Sequence, residues 1–198
     1  MSTGHFGRAV PVGLRPFPLL LGRTLGGTKV VIPSELKSPQ APLHVLTFNF
    51  KNKHVWNART WAGLHSSVEL LLKHAGMVSS PAQQPGMFHV WLLPTVHWFW
   101  SPLWKRRCRA WADENGIDRE NVIVVYGNRD EITEDIGILN DGRQYAFLLD
   151  NSGKIHFATD GRYLGHKHDI SINKAVQTLI NMVKLESRDN VDSLRDSI

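Results

Sequence analysis

The sequence predicts an α/β fold, a central mixed β-sheet flanked by helices, and three observations carry that expectation. Short runs rich in β-branched and aromatic residues alternate with segments of helical period. Two of those runs close on each other around Asp150-Asn151-Ser152-Gly153, the composition of a hairpin turn. A chain of 198 residues that is 42% hydrophobic, with one cysteine, is long enough to bury a core without disulfide or zinc staples.

Taken in order, residues 29–33 read as a short strand. Residues 43–50 read as a longer one, with Val45, Leu46, Phe48 and Phe50 as β-formers. Trp61, Leu64, Val68, Leu71 and Leu72 then recur at helical spacing, giving a helix over about 57–76 with Asn57 as N-cap and Gly76 at its end. A loop with two prolines leads to a buried strand over 87–93, which Pro94 closes. Ser101-Pro102 opens a helix over 102–114, because proline is tolerated where its missing N–H is needed least. Val122 to Tyr126 is an almost purely β-branched strand, and residues 129–139 form a short helix with Asp130 and Glu131 near its positive end. Residues 145–149 and 154–158 form the hairpin. A closing amphipathic helix over 170–185 presents Ile172, Ala175, Val176, Leu179, Ile180 and Val183.

The order βαβαβα followed by ββα is a thioredoxin-like plan. Enzymes of that plan carry a nucleophilic cysteine after the strand equivalent to 43–50, at a helix N-terminus that lowers the thiol pKa. Here the loop reads Lys51-Asn52-Lys53-His54-Val55-Trp56, and Arg143-Gln144-Tyr145 stands where active thioredoxins have a proline. Cys108 lies in a different helix and reads as a small buried side chain, so thiol redox chemistry is set aside. No Walker loop, GxGxxG or GxSxG occurs, and Gly22 to Gly27 reads as a plain turn. His166-Lys167-His168-Asp169 reads as a loop and helix cap lacking further metal ligands. The expectation is a non-catalytic chain with no cofactor.

Charge is unevenly placed. Residues 1–112 hold 13 Lys or Arg against Glu35 and Glu69, a net +11, while residues 113–198 hold 10 against 16 acids, a net −6. An anionic partner is therefore expected for the first half: an anionic membrane, an acidic protein face or nucleic acid. The first 34 residues carry Arg8, Arg15, Arg23 and Lys29 and no acid, a composition resembling mitochondrial targeting segments, although Pro11, Pro16 and Pro18 would interrupt a helix. No apolar run approaches the roughly 20 residues that span a bilayer, which suggests a soluble or peripheral protein.

Residues 95–111 are the unusual segment. Leu103, Trp104, Cys108 and Trp111 share one helical face suited to packing on the sheet, whereas consecutive Trp98, Phe99 and Trp100 cannot all face inward. Lys105, Arg106, Arg107 and Arg109 add a cationic rim, and an aromatic body with a basic rim suits a membrane interface or a protein groove. The candidate partner or membrane surface is thus Trp98, Phe99, Trp100 and Trp104 for apolar contact, with Lys105, Arg106, Arg107 and Arg109 for anionic lipid or acidic groups. No RNA-recognition motif accompanies these residues, so nucleic acid ranks below protein or membrane.

Three stretches carry a family resemblance: Phe17-Pro18 with Gly22-Arg23-Thr24-Leu25-Gly26-Gly27; residues 98–109; and Asp130-Glu131-Ile132 through Ile136-Gly137-Ile138-Leu139-Asn140 into Tyr145-Ala146-Phe147-Leu148-Leu149-Asp150 and Gly153-Lys154-Ile155. Over about residues 17–185 the chain resembles the mitochondrial ATP synthase assembly factor ten family. The resemblance implies a thioredoxin-like fold and a peripheral place on the matrix side of the inner membrane. It further implies a chaperone role for membrane subunit a (subunit 6) beside the c-ring. A permanent accessory subunit of ATP synthase or another respiratory complex is the alternative. The expected organisation is a basic arm over 1–28, one domain over 29–187 and a polar tail over 188–198.

Overall fold

The computed structural model describes residues 15–181, apart from 37–40, 52–53, 55–57, 59, 81–82, 137, 139–141 and 166–167. Seven strands occur among the described residues: β1 (Leu20–Thr24), β2 (Lys29–Ile32), β3 (Leu43–Asn49), β4 (Gly86–Pro94), β5 (Val122–Gly127), β6 (Tyr145–Asp150) and β7 (Ile155–Asp160). They form one sheet in the order β2-β1-β5-β4-β3-β6-β7. The central trio β5-β4-β3 is parallel, and every other pairing is antiparallel. Parallel neighbours require crossovers, and helices α1 (Ala62–His74) and α2 (Ser101–Glu114) supply them. Helix α3 (Arg129–Ile136) follows β5, and a last helix, α4, spans 168–181.

All seven residues of β3 are buried, as expected for a parallel strand covered on both faces. On one face Leu43, Val45, Ala146, Leu148 and Phe157 meet α1 and α4 through Trp61, Val68, Leu72, Ile172, Val176 and Leu179. Further along that face Trp91, Leu93, Val122 and Val124 meet α2 through Cys108, Trp111 and Ala112. The opposite face carries Leu46, Phe48, Val90, Leu92, Ile123, Val125, Phe147 and Leu149, with Ile132 and Ile136 of α3 against it. The predicted Asn57 cap lies outside the described residues. Trp61 occupies the cap position instead, without a side-chain cap bond, and its Nε1 donates to the Gly161 carbonyl at 3.0 Å.

The boundary between arm and domain moves. Residues 15–28, read from the sequence as part of a basic arm, belong to the sheet and its core. Arg15 O accepts from Ile155 N and Phe17 N donates to Gly153 O, both at 2.8 Å, tying this stretch to the β6–β7 hairpin. Phe17, only 4% exposed, meets Phe48 and Phe147 edge-on at 6.2 and 5.6 Å. The chain then reaches the far side of the parallel trio, where β1 pairs with β5. Its route is a strap across the sheet. Gly22 to Thr24, expected to be a turn, lie in β1; the turn itself begins at Leu25, with Thr24 Oγ1 accepting from Gly27 N and Thr28 N. Residues 1–14 and the tail 188–198 lie outside the described residues.

The interior also holds polar groups. Asn49 Nδ2 donates to Val90 O at 3.2 Å and to Thr47 Oγ1 at 3.4 Å, and the Thr47 hydroxyl shares a hydrogen bond of 2.7 Å with His89 Nδ1. Burial pushes His44 and His89 down to about 4, so both are neutral in the folded chain.

Two measurements check this account. Phe17→Ala is expected to cost about 3 kcal/mol in chemical denaturation, whereas Leu19→Ala, at a side chain 73% exposed, should lie within about 0.5 kcal/mol of the parent. At His44 and His89 the unfolded chain binds protons near 6.5, but the folded chain does not until about 4. Stability is therefore complete above the higher value and falls as pH drops between the two, by up to about 3 kcal/mol per imidazole. Denaturation midpoints across that window should show the slope, and His44→Gln should flatten it.

Candidate interaction site

Because β3, β4 and β5 are parallel, the segments leaving them gather at one end of the sheet. In the loop after β3 the backbone N–H of Phe50 donates to His54 Nδ1 at 3.1 Å, and His54 Nε2 lies 3.1 Å from the Gly142 carbonyl. One nitrogen must accept and the other donate, which selects the neutral tautomer with its proton on Nε2. The imidazole is 1% exposed and bolts this loop to the one entering β6. Gln144, where active thioredoxins have a proline, is fully buried. Its carbonyl accepts from Gly161 N at 2.7 Å, while neither polar atom of its side-chain amide finds a hydrogen bond. The chain's single thiol is elsewhere: Cys108 lies on the buried face of α2, and burial pushes it up to about 12. Among the described residues no group of three metal-ligating side chains occurs, and no helix is long and apolar enough to cross a membrane.

Beyond β4 the chain enters a 3-10 turn, Thr95–Trp100, and continues into α2. Phe99 of this turn is 80% exposed. Trp98 and Trp100 share the turn, and their side chains lie outside the described residues. Trp104 is half-buried against the Trp91 cluster, with the Arg107 guanidinium 5.9 Å from its ring centroid, so this aromatic serves the core and supports the cationic rim together. Leu103, expected on the packed face, is instead 52% exposed, because Cys108, Trp111 and Ala112 set the contact with the sheet. Arg106 and Arg107 are exposed. Arg109 turns toward the β1–β2 turn, where Nη2 donates to Leu25 O at 3.4 Å. Lys105, half-buried, faces the same way.

Between α2 and the β1–β2 hairpin lies a groove of about 380 Å³ lined by Leu21, Gly22, Arg23, Lys29, Lys105, Val124 and Tyr126. Register explains it. Arg23 pairs with Lys29 across β1–β2 and with Val124 across β1–β5, so these side chains share a sheet face. Helix α2 covers β4 and β5 on that face but leaves β1 and β2 open, with Leu21 76% exposed. Arg23, Lys29, Leu21 and Tyr126 escape the sequence reading because that reading placed no strand at residues 20–24. The alternation Leu19, Leu21, Arg23 was the available signal.

No protein-family model matches the chain, and no curated protein matches it. Solved structures do resemble it. A DsbF homologue from Corynebacterium diphtheriae has a TM-score of 0.50 at 13% identity, covering 88% of this chain and 96% of its own. BsSco, a member of the Sco family of cytochrome c oxidase assembly proteins, has a TM-score of 0.49 at 13% identity, covering 88% and 98%. A thiol:disulfide interchange protein of the thioredoxin family from Chlorobium tepidum has a TM-score of 0.45 at 13% identity, covering 86% and 99%. At such identity the likeness concerns the fold alone. With the strand order β4-β3-β6-β7 and its parallel first pair, the chain has a thioredoxin-like fold.

A buried thiol with a raised pKa is a poor nucleophile. A thiol-specific reagent at neutral pH is expected to label Cys108 on unfolding and only at the opening rate in the native chain. Prompt stoichiometric labelling of the folded protein would contradict the packing described.

Proposed function

We propose that the chain is a non-catalytic mitochondrial protein-binding factor that assists ATP synthase assembly at the matrix face of the inner membrane. Its client would be membrane subunit a/6 before or during its union with the c-ring. The family resemblance over residues 17–185 supplies the client and the compartment. One structural observation favours binding over thiol chemistry: the loop after β3 is closed by a buried imidazole, and the chain's one thiol is on the buried face of α2. The same end of the sheet offers an alternative use of the fold. Val96, Phe99 and Leu103 are exposed there beside Arg106 and Arg107, a composition able to cover apolar client surface and hold acidic groups or anionic headgroups.

Charge reversal of Lys105, Arg106, Arg107 and Arg109 to Glu is expected to reduce capture of ATP synthase subunits from mitochondria at least tenfold while leaving the melting temperature within a few degrees. Unchanged capture would remove this surface from the reading. A native gel distinguishes the two roles. Presence in assembly intermediates alone marks a chaperone, and stoichiometric presence in the mature complex marks a permanent accessory subunit. Loss of function in Cys108→Ser with the fold intact would instead restore a thiol enzyme.

A further inference from the structure

We infer that the groove between α2 and the β1–β2 hairpin is a binding site for the phosphate of an anionic phospholipid at a membrane surface. The inference rests on the peripheral-membrane part of the proposed function, and on no particular client. Arg23 and Lys29 are direct cross-strand partners on adjacent strands, so their like charges are held side by side, an arrangement that costs free energy unless an anion lies between or above them. Lys105 approaches from α2 on the opposite wall. No acid lines the groove, and among the described residues none of these three cations is in an ion pair. The Arg23 guanidinium has a single hydrogen bond of 3.4 Å, to the Gly27 carbonyl, which leaves most of its donors for a ligand. Tyr126 adds its side chain to the groove wall.

The choice of an amphiphile over a free anion comes from the apolar side chains around these charges. Leu21 shares the open face of β1 with Arg23, Leu19 immediately precedes the strand, and the two leucines are 76% and 73% exposed. The register continues from Gly22 opposite Val125, which sets Leu21 toward the end of β5, where the 3-10 turn packs. That turn and the start of α2 carry Val96, Phe99 and Leu103, all more than half exposed. Cations lining a groove, with exposed Leu, Val and Phe beyond them, match a phosphate at headgroup depth and side chains entering the acyl boundary.

Co-sedimentation of the full chain with vesicles tests this. Phosphatidylcholine vesicles are compared with vesicles of equal parts phosphatidylcholine and phosphatidylglycerol, and binding is expected to the second alone. Arg23→Gln with Lys29→Gln should lower the affinity about thirtyfold. The equally charged rim pair, Arg106→Gln with Arg107→Gln, should lose about fivefold or less, since those two do not line the groove where Arg23, Lys29 and Lys105 converge. Equal losses from groove and rim pairs would overturn the site, as would binding to phosphatidylcholine alone. Inorganic phosphate that binds the chain and displaces it from vesicles would show a soluble-anion site and overturn the lipid assignment. Lys105→Gln alone, at a helix surface, keeps the test open if the double variant does not fold. Vesicle binding that survives while subunit capture fails would leave this site standing and defeat the assembly role, and the reverse pattern would defeat the site alone.

Discussion

Burial of β3 on both faces is the constraint on which the rest of the structure depends. A strand with every side chain out of water has to be covered above and below, and its parallel pairing with β4 forbids a tight hairpin between them. Helix α1 is therefore both a connection and a cover. Helix α2 repeats the solution for β4 and β5. The same geometry sends the exits of all three strands to one end of the sheet, so the His54 loop, the aromatic turn and the end of β5 share a neighbourhood although the sequence separates them widely.

The opposite face has fewer helices to cover it, and the N-terminal strap completes it. Phe17 fills the space between Phe48 and Phe147, and the backbone on either side of it hydrogen-bonds to the β6–β7 hairpin. Having crossed the sheet, the chain has no remaining course except along the free edge of β5, and β1 forms there with β2 as its hairpin partner. Gly22 belongs to this arrangement: a Cβ at that position would come within 2.6 Å of Ile123 Cγ2. The groove exists because this hairpin extends the sheet beyond the reach of α2.

Polar groups inside the sheet divide into two kinds. Asn49 Nδ2, Thr47 and His89 are joined by hydrogen bonds, although Asn49 Oδ1 has no partner, and His54 is satisfied at both nitrogens. Asp150 belongs with them: burial would raise its carboxyl, but hydrogen bonds from His156, Ser152 and the Lys154 N–H overcome that and hold it below the usual carboxylate range. Gln144 is different, because its amide is buried without partners at the mouth of the β6 ladder. At this end the thioredoxin-like scaffold carries a closed imidazole bridge and a buried amide, with exposed charged and apolar side chains nearby.

Much of the fold was legible before any tertiary information. The α/β class, β3 to β7 and all four helices follow from period, β-branching and turn chemistry, with boundaries shifted by a few residues, because each of those signals acts within a window of about ten residues. The apolar contact of Cys108 and Trp111 was readable in the same way, as was the basic rim of Arg106 and Arg107. The strap and β1 were not. Leu20 to Thr24 is a five-residue strand with a glycine inside it, following three prolines, and its partners Ile123 to Val125 lie a hundred residues away. Local sequence determined that Arg23, Lys29 and Lys105 are cations in an acid-poor half of the chain. Only pairing between distant strands decided that they converge on one groove, because strand register is a non-local hydrogen-bonding choice that no short window of sequence contains.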